Sequence, residues 1–156
     1  MKNMGNEHTF LFREGLWAVR GYYSDQGESR FPVRGEIRIT QEKNVWISDG
    51  ILLVLATPAS KICNRYEIVP FKKGRDYTGW KSVNPALGDL VGRFVVFDDS
   101  IISNYTSKNY EFSGNEFFLR VDSKHYWNRG VLFQGDHKLS SWGLELEKAK
   151  DRKARG

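Results

Sequence analysis

Residues 31–40 read Phe-Pro-Val-Arg-Gly-Glu-Ile-Arg-Ile-Thr, and this stretch decides the fold class. Phe31, Val33, Ile37 and Ile39 share one parity, while Arg34, Glu36, Arg38 and Thr40 share the other. Successive side chains of an extended chain point to opposite faces, so this alternation is a half-buried strand. Upstream, Leu16 to Tyr23 has strand composition and stops at the turn Ser24-Asp25-Gln26-Gly27. Downstream, Gln41-Glu42-Lys43-Asn44 turns the chain into a strand over Val45 to Leu55, in which Gly50 marks a bulge or a close backbone approach.

The same grammar continues along the chain. Arg65 to Phe71 reads as a short strand ended by Lys72-Lys73-Gly74. Asp76 to Asp89 is the least regular part, interrupted by Gly79-Trp80, Asn84-Pro85 and Gly88, and Trp80 is expected to tolerate substitution there. Leu90 to Phe97 and Ile101 to Tyr105 flank a tight turn at Asp98-Asp99-Ser100. Phe117, Leu119 and Val121 alternate with Phe118, Arg120 and Asp122, and Tyr126 to Gln134 follows. After Gly135-Asp136-His137, the last strand is Leu139 to Glu147, with Trp142, Leu144 and Leu146 on one face. Helical signal is limited to one turn over Thr9 to Glu14 and a short segment after Glu145. Turn signals at regular short spacing predict a meander of adjacent antiparallel strands. The expected fold is all-β, a single antiparallel meander barrel of about eight to ten strands or a closely related sandwich. The barrel is favoured because its first and last strands can pair and leave no exposed edge.

The chain has 156 residues, 40% of them hydrophobic and 14% aromatic, enough for one core without staples. Cys63 is the single cysteine, so an internal disulfide is excluded. Met1 to Glu7 is polar with no leader-like apolar segment, and the longest apolar run, Ile51 to Ala56, is strand-sized, so a cytoplasmic protein without a membrane span is expected. The net charge of +5 is concentrated in Lys148, Lys150, Arg152, Lys153 and Arg155. Residues 1–148 are read as the barrel domain and 149–156 as a basic, flexible tail.

Nucleophile elbows, Gly-rich phosphate loops, His-Glu-x-x-His and Cys-x-x-Cys motifs are all missing. His8, His125 and His137 share no ligand spacing, so neither a metal nor a cofactor is expected. Asp98-Asp99 reads as a turn, and Cys63 as a small packed hydrophobe.

Gly15-Leu16-Trp17 stands at the start of the first strand, just after the helical turn. It resembles the Gly-x-Trp signature of the calycin superfamily: lipocalins, fatty-acid-binding proteins and avidins. The resemblance implies that Trp17 packs across the closed end of a lipocalin-like barrel, beneath a basic side chain supplied by Lys148 or by Arg129. The lipocalin Thr-Asp-Tyr motif is not present, so the branch of the superfamily stays open.

Within a barrel, one parity of each strand lines the interior. Besides Phe31, Val33, Ile37 and Ile39, the inward sets expected are Phe117, Leu119 and Val121, and Trp142, Leu144 and Leu146. Two strands carry a cation in the apolar register, namely Arg93 beside Val95 and Phe97, and Arg129 beside Trp127, Val131 and Phe133. A buried guanidinium needs an anion, which in a ligand barrel is a carboxylate head group and in a closed core an internal Glu or Asp. The expected ligand-binding set is therefore Arg129, Arg93, Trp127, Phe133, Tyr66, Tyr105 and Phe117. The functional expectation is binding or sensing of a small apolar or amphiphilic ligand with an acidic head group. Two alternatives stay open. One is an isomerase, hydratase or lyase on the same barrel using Tyr23, Tyr66, Tyr105 or His137. The other is a nucleic-acid-binding barrel, disfavoured because the cations gather in the tail.

Overall fold

The alternation of residues 31–40 is realised as a twelve-residue strand whose inner parity, Phe31, Val33, Ile37 and Ile39, packs into or against the core. The computed structural model describes residues 7–27 and 29–150. In chain order its strands are β1 (Gly15–Ser24), β2 (Arg30–Gln41), β3 (Trp46–Val54), β4 (Ser60–Ile68), β5 (Tyr77–Asn84), β6 (Gly88–Phe97), β7 (Ser100–Ser107), β8 (Phe112–Asp122), β9 (His125–Gln134) and β10 (His137–Lys148). Each strand pairs antiparallel with the next, and β1 pairs with β10 to close the ring. Closure satisfies the backbone groups that an open sheet would leave at its edges. Ten strands enclose a wider interior than eight, whose lumen side chains just fill.

One seam is weak. β4 and β5 share only the pairs Glu67–Lys81 and Ile68–Trp80. Side-chain hydroxyls complete the join: Thr78 donates to the Val69 carbonyl at 2.7 Å and Ser82 to the Arg65 carbonyl at 2.6 Å.

β5 corrects the expectation of an irregular stretch at Asp76 to Asp89. Gly79 lies within the strand opposite Arg93, and only the turn before Gly88 behaves as a breaker. Trp80 is 5% exposed, and its indole N–H donates to Ser103 Oγ at 3.1 Å, so it is a core residue rather than a tolerant one. The predicted turn over Thr9 to Glu14 appears as a single turn, with Arg13 N–H donating to the Thr9 carbonyl at 3.1 Å. The helix expected after Glu145 is absent among the described residues, because β10 runs on to Lys148.

Residues 8–13 fold across one end of the barrel and close it. Phe10 and Leu11 are buried against the ends of the strands, and Phe12 meets Trp46 and Phe71. Trp17, with 0% exposure, sits beneath them edge-on to Phe10 and Tyr126, each at 5.5 Å. Lys148 Nζ lies 5.4 Å from the Trp17 ring and donates to the Glu14 carbonyl at 2.9 Å. Of the two cations expected over Trp17, Lys148 takes the place and Arg129 does not. The tail expected over 149–156 falls outside the described residues from 151 onward. Ala149 N–H still donates to the Leu16 carbonyl at 2.8 Å, so the barrel's hydrogen bonding continues past Lys148.

Parity on three strands is the reverse of expectation. On β6, Leu90, Gly92, Phe94 and Val96 point inward, leaving Arg93, Val95 and Phe97 outside. On β8, Gly114, Glu116 and Phe118 point inward and Phe117, Leu119 and Val121 outward. On β9, Tyr126, Asn128, Gly130 and Leu132 point inward, with Trp127, Arg129, Val131 and Phe133 outside. The physical reason is twofold. Arginines on the outer face keep their hydration and need no buried anion. The apolar residues beside them form an outer row in which Tyr77, Val95, Ile102 and Phe117 stand opposite one another on β5 to β8.

Candidate ligand pocket in the barrel lumen

The lumen is shaped by pairing small residues with large ones across strands. Gly92 stands opposite Trp80, Gly114 opposite Tyr105 and Gly130 opposite Trp142. A Cβ built on any of these glycines would land inside the facing ring. The missing side chains let the aromatics lie flat against the wall rather than fill the centre. What remains open is a cavity of about 270 Å³, running from Phe10 and Leu11 at the closed end to Leu87 and Leu132 near the opposite mouth. That is close to the low end of ligand-site volumes, about 300 Å³.

Most of the lining is apolar, including Val33, Leu52, Phe94 and Leu144, and a small polar group faces it from β4, β5, β7, β8 and β9. Glu116 is its centre. β8 places it on the inner face opposite Gly130, where the lack of a side chain gives its carboxyl room. Trp142 Nε1 donates to Glu116 Oε2 at 3.0 Å, and the Asn128 amide lies beside it. Burial pushes the Glu116 carboxyl above the usual carboxylate range, and the hydrogen bonds from Trp142 and Asn128 offset part of that rise. Among the described residues, no Lys, Arg or His lies within ion-pair distance of it.

Tyr66 and Tyr105 line the same cavity, each against the Trp80 ring, at 4.7 and 5.7 Å between centroids. Burial, and then the nearby Glu116 charge, raise both phenols above their ordinary range, so they stay protonated. Neither hydroxyl has a hydrogen-bond partner among the described residues. Asn128 is 1% exposed; its Nδ2 donates to the Phe117 carbonyl at 3.1 Å, while its Oδ1 has no partner. On the seam side, Asn84 Nδ2 reaches Asn64 Oδ1 at 3.5 Å.

Of the seven residues expected to bind a ligand, Tyr66 and Tyr105 are brought together on the lumen wall. The other five are not. Arg93, Phe117, Trp127, Arg129 and Phe133 lie on the outer face, with Trp127 48% exposed. Arg129 lies along the outside of β10 over Gly143 and donates from Nη1 to the Asn128 carbonyl at 2.9 Å. The trough beside it is larger, about 840 Å³, and more open to solvent; Arg129, Phe117 and Val131 line it, and Glu116, Gly130 and Trp142 border it as well. Reading the arginines inward missed Glu116, Asn128, Asn64 and Asn84. A usable signal was present in Gly114-x-Glu116 and Asn128-x-Gly130, where a glycine and a polar residue share the parity that a filled core would give to apolar side chains.

No protein-family model and no curated protein matches the sequence. Among solved structures, the barrel is similar to that of the S-type phycobiliprotein lyase CPES from Guillardia theta, with a TM-score of 0.64 over 89% of this chain and 89% of that one, at 12% identity.

Proposed function

We propose that this protein binds a small, largely apolar molecule inside the barrel, with its polar group turned toward Glu116, Tyr66, Tyr105 and Asn128. The observation that carries the reading is the cavity of about 270 Å³, kept open by three glycines that flatten aromatic rings against the wall. Cores built only for stability fill such space, because each void forfeits packing energy. An apolar lining with a few convergent polar groups is the usual composition of a small-molecule site. The likeness to a phycobiliprotein lyase supports the barrel form in which such a site is built. Arg129 has no part in the anchor, since it stands outside.

The test is titration of the full chain with naphthalenemethanol, a neutral aromatic probe, followed by quenching of tryptophan fluorescence and by calorimetry. Saturable binding of one equivalent is expected. In Leu132→Trp, whose added ring enters the mouth, binding should fall at least tenfold while the melting temperature stays near that of wild type. A wild-type chain that binds neither this probe nor its charged analogues would sink the reading.

A further inference from the structure

We propose that the lumen selects molecules bearing an ammonium or N–H donor group and seats that group on the Glu116 carboxylate. The inference rests on the reading of the lumen as a ligand site and names the chemistry of its ligand.

Around Glu116 and Asn128 the polar groups of the cavity leave acceptors in excess. Glu116 contributes two carboxyl oxygens; Trp142 Nε1 donates to one of them at 3.0 Å, and the Asn128 amide lies beside the carboxyl. Asn128 Oδ1, on a side chain 1% exposed, has no donor at all. Asn128 Nδ2 is committed to the Phe117 carbonyl. Tyr66 and Tyr105 each bring a hydroxyl that both donates and accepts, so they cannot correct the imbalance alone. A half-buried carboxylate is still favoured by an opposite charge or further hydrogen bonds, and no cation of the described residues stands within ion-pair distance of it. Arg120, on the same strand and parity as Glu116, pairs with Glu7 at 3.6 Å at the closed end, and Arg93 and Arg129 are turned outward.

A ligand ammonium meets this need directly. It pairs with the carboxylate, carries further donors for Asn128 Oδ1 and the tyrosine oxygens, and sits among the rings of Trp142, Tyr66 and Tyr105, which line the cavity. Aromatic faces attract cations through the ring quadrupole. A ligand carboxylate does the reverse, because it sets a second negative charge beside Glu116 in a medium of low dielectric. The acidic head group expected when the arginines were read inward is therefore replaced by a basic one.

The experiment compares three probes on one ring skeleton: naphthylmethylamine, naphthalenemethanol and naphthoic acid. Each is titrated into the full-length chain at neutral pH, with calorimetry and tryptophan quenching as readouts. Wild type should bind the amine at least tenfold more tightly than the alcohol, and the acid most weakly. Glu116→Gln should abolish the preference for the amine over the alcohol, and a melting temperature near that of wild type shows that the variant is folded. If Glu116→Gln fails to fold, Glu116→Asp serves instead, keeping a shorter carboxylate and part of the amine preference. Equal binding of the three probes, tighter binding of the acid, or an amine preference that survives Glu116→Gln would overturn the inference and leave the lumen site standing. Absence of binding by all three would remove both together.

Discussion

Trp17 has the largest side chain among the fully buried residues of the closed end, and its surroundings explain the residues beside it. A Cβ on Gly15 would occupy the position of the Lys148 ammonium, so glycine two residues before the indole is what lets the cation lie over the ring. Gly-x-Trp is thus a packing unit: a missing side chain, an aromatic plate and a basic cover from the last strand. Trp17→Ala should cost about 3–5 kcal/mol in chemical denaturation, the range for removing a large buried aromatic. Trp80→Ala should cost a similar amount, because Trp80 is also in the core and its N–H is paired with Ser103. Lys148→Met keeps the apolar stem and should lose about 0.5–1 kcal/mol. A loss at Trp80 far smaller than at Trp17 would show that the β5 wall packs more loosely than its geometry indicates.

At the level of strands, the decisive choice is which parity turns inward. β2 and β10 are legible because one parity is apolar and the other polar or charged over most of their length. β6, β8 and β9 are not, because each carries large apolar residues on both parities. Their inner faces are set by glycines that make room for Trp80, Tyr105 and Trp142 arriving from neighbouring strands. A one-residue shift exchanges the whole inner set for the outer one, so an error here moves every candidate on the strand together. Gly130→Ala tests the arrangement. Its new methyl would collide with the Trp142 indole, which must then leave the wall and its bond to Glu116. Overpacking of this kind costs about 1–3 kcal/mol, and naphthalenemethanol binding should weaken as the indole moves into the cavity. Unchanged stability and binding would mean that the aromatic plates are not held as described.

For the whole molecule, the closed end couples the N-terminal segment to β6, β8 and β9. His8 Nε2 lies 2.9 Å from the Asp98 carbonyl, which can only accept, so Nε2 carries the proton. Nδ1, 2.7 Å from Tyr126 Oη, then accepts the phenol proton, and Tyr126 Oη accepts Thr9 N–H at 3.1 Å. Burial holds the His8 pKa below its ordinary value of 6.5, with Arg120 also lowering it. Below that value the unfolded chain takes up a proton that the folded chain resists. The stability linked to His8 is therefore complete above pH 6.5 and is lost as pH falls beneath it. The slope should be at most about 1.4 kcal/mol per pH unit. Denaturant unfolding measured across this window should show the loss in wild type and a flatter profile in His8→Gln. Equal profiles would mean that His8 is not held neutral by the plug.

Local chemistry carried the fold. Period-two alternation in residues 31–40, turn residues at regular spacing and the Gly15-Leu16-Trp17 unit act within a few residues of one another, and together they determine an antiparallel meander, its closure and its plugged end. The lumen depends on contacts that no local window contains. Glu116 faces the cavity because Gly130 lies opposite it on β9, and Trp142 reaches it from β10. Arg93 and Arg129 turn outward because the glycines beside them on β6 and β9 are needed inside. A strand with two apolar faces has no preferred side in isolation. Only closure of the ring, which brings each glycine to the aromatic that needs its space, decides which side chains face the lumen and which meet water.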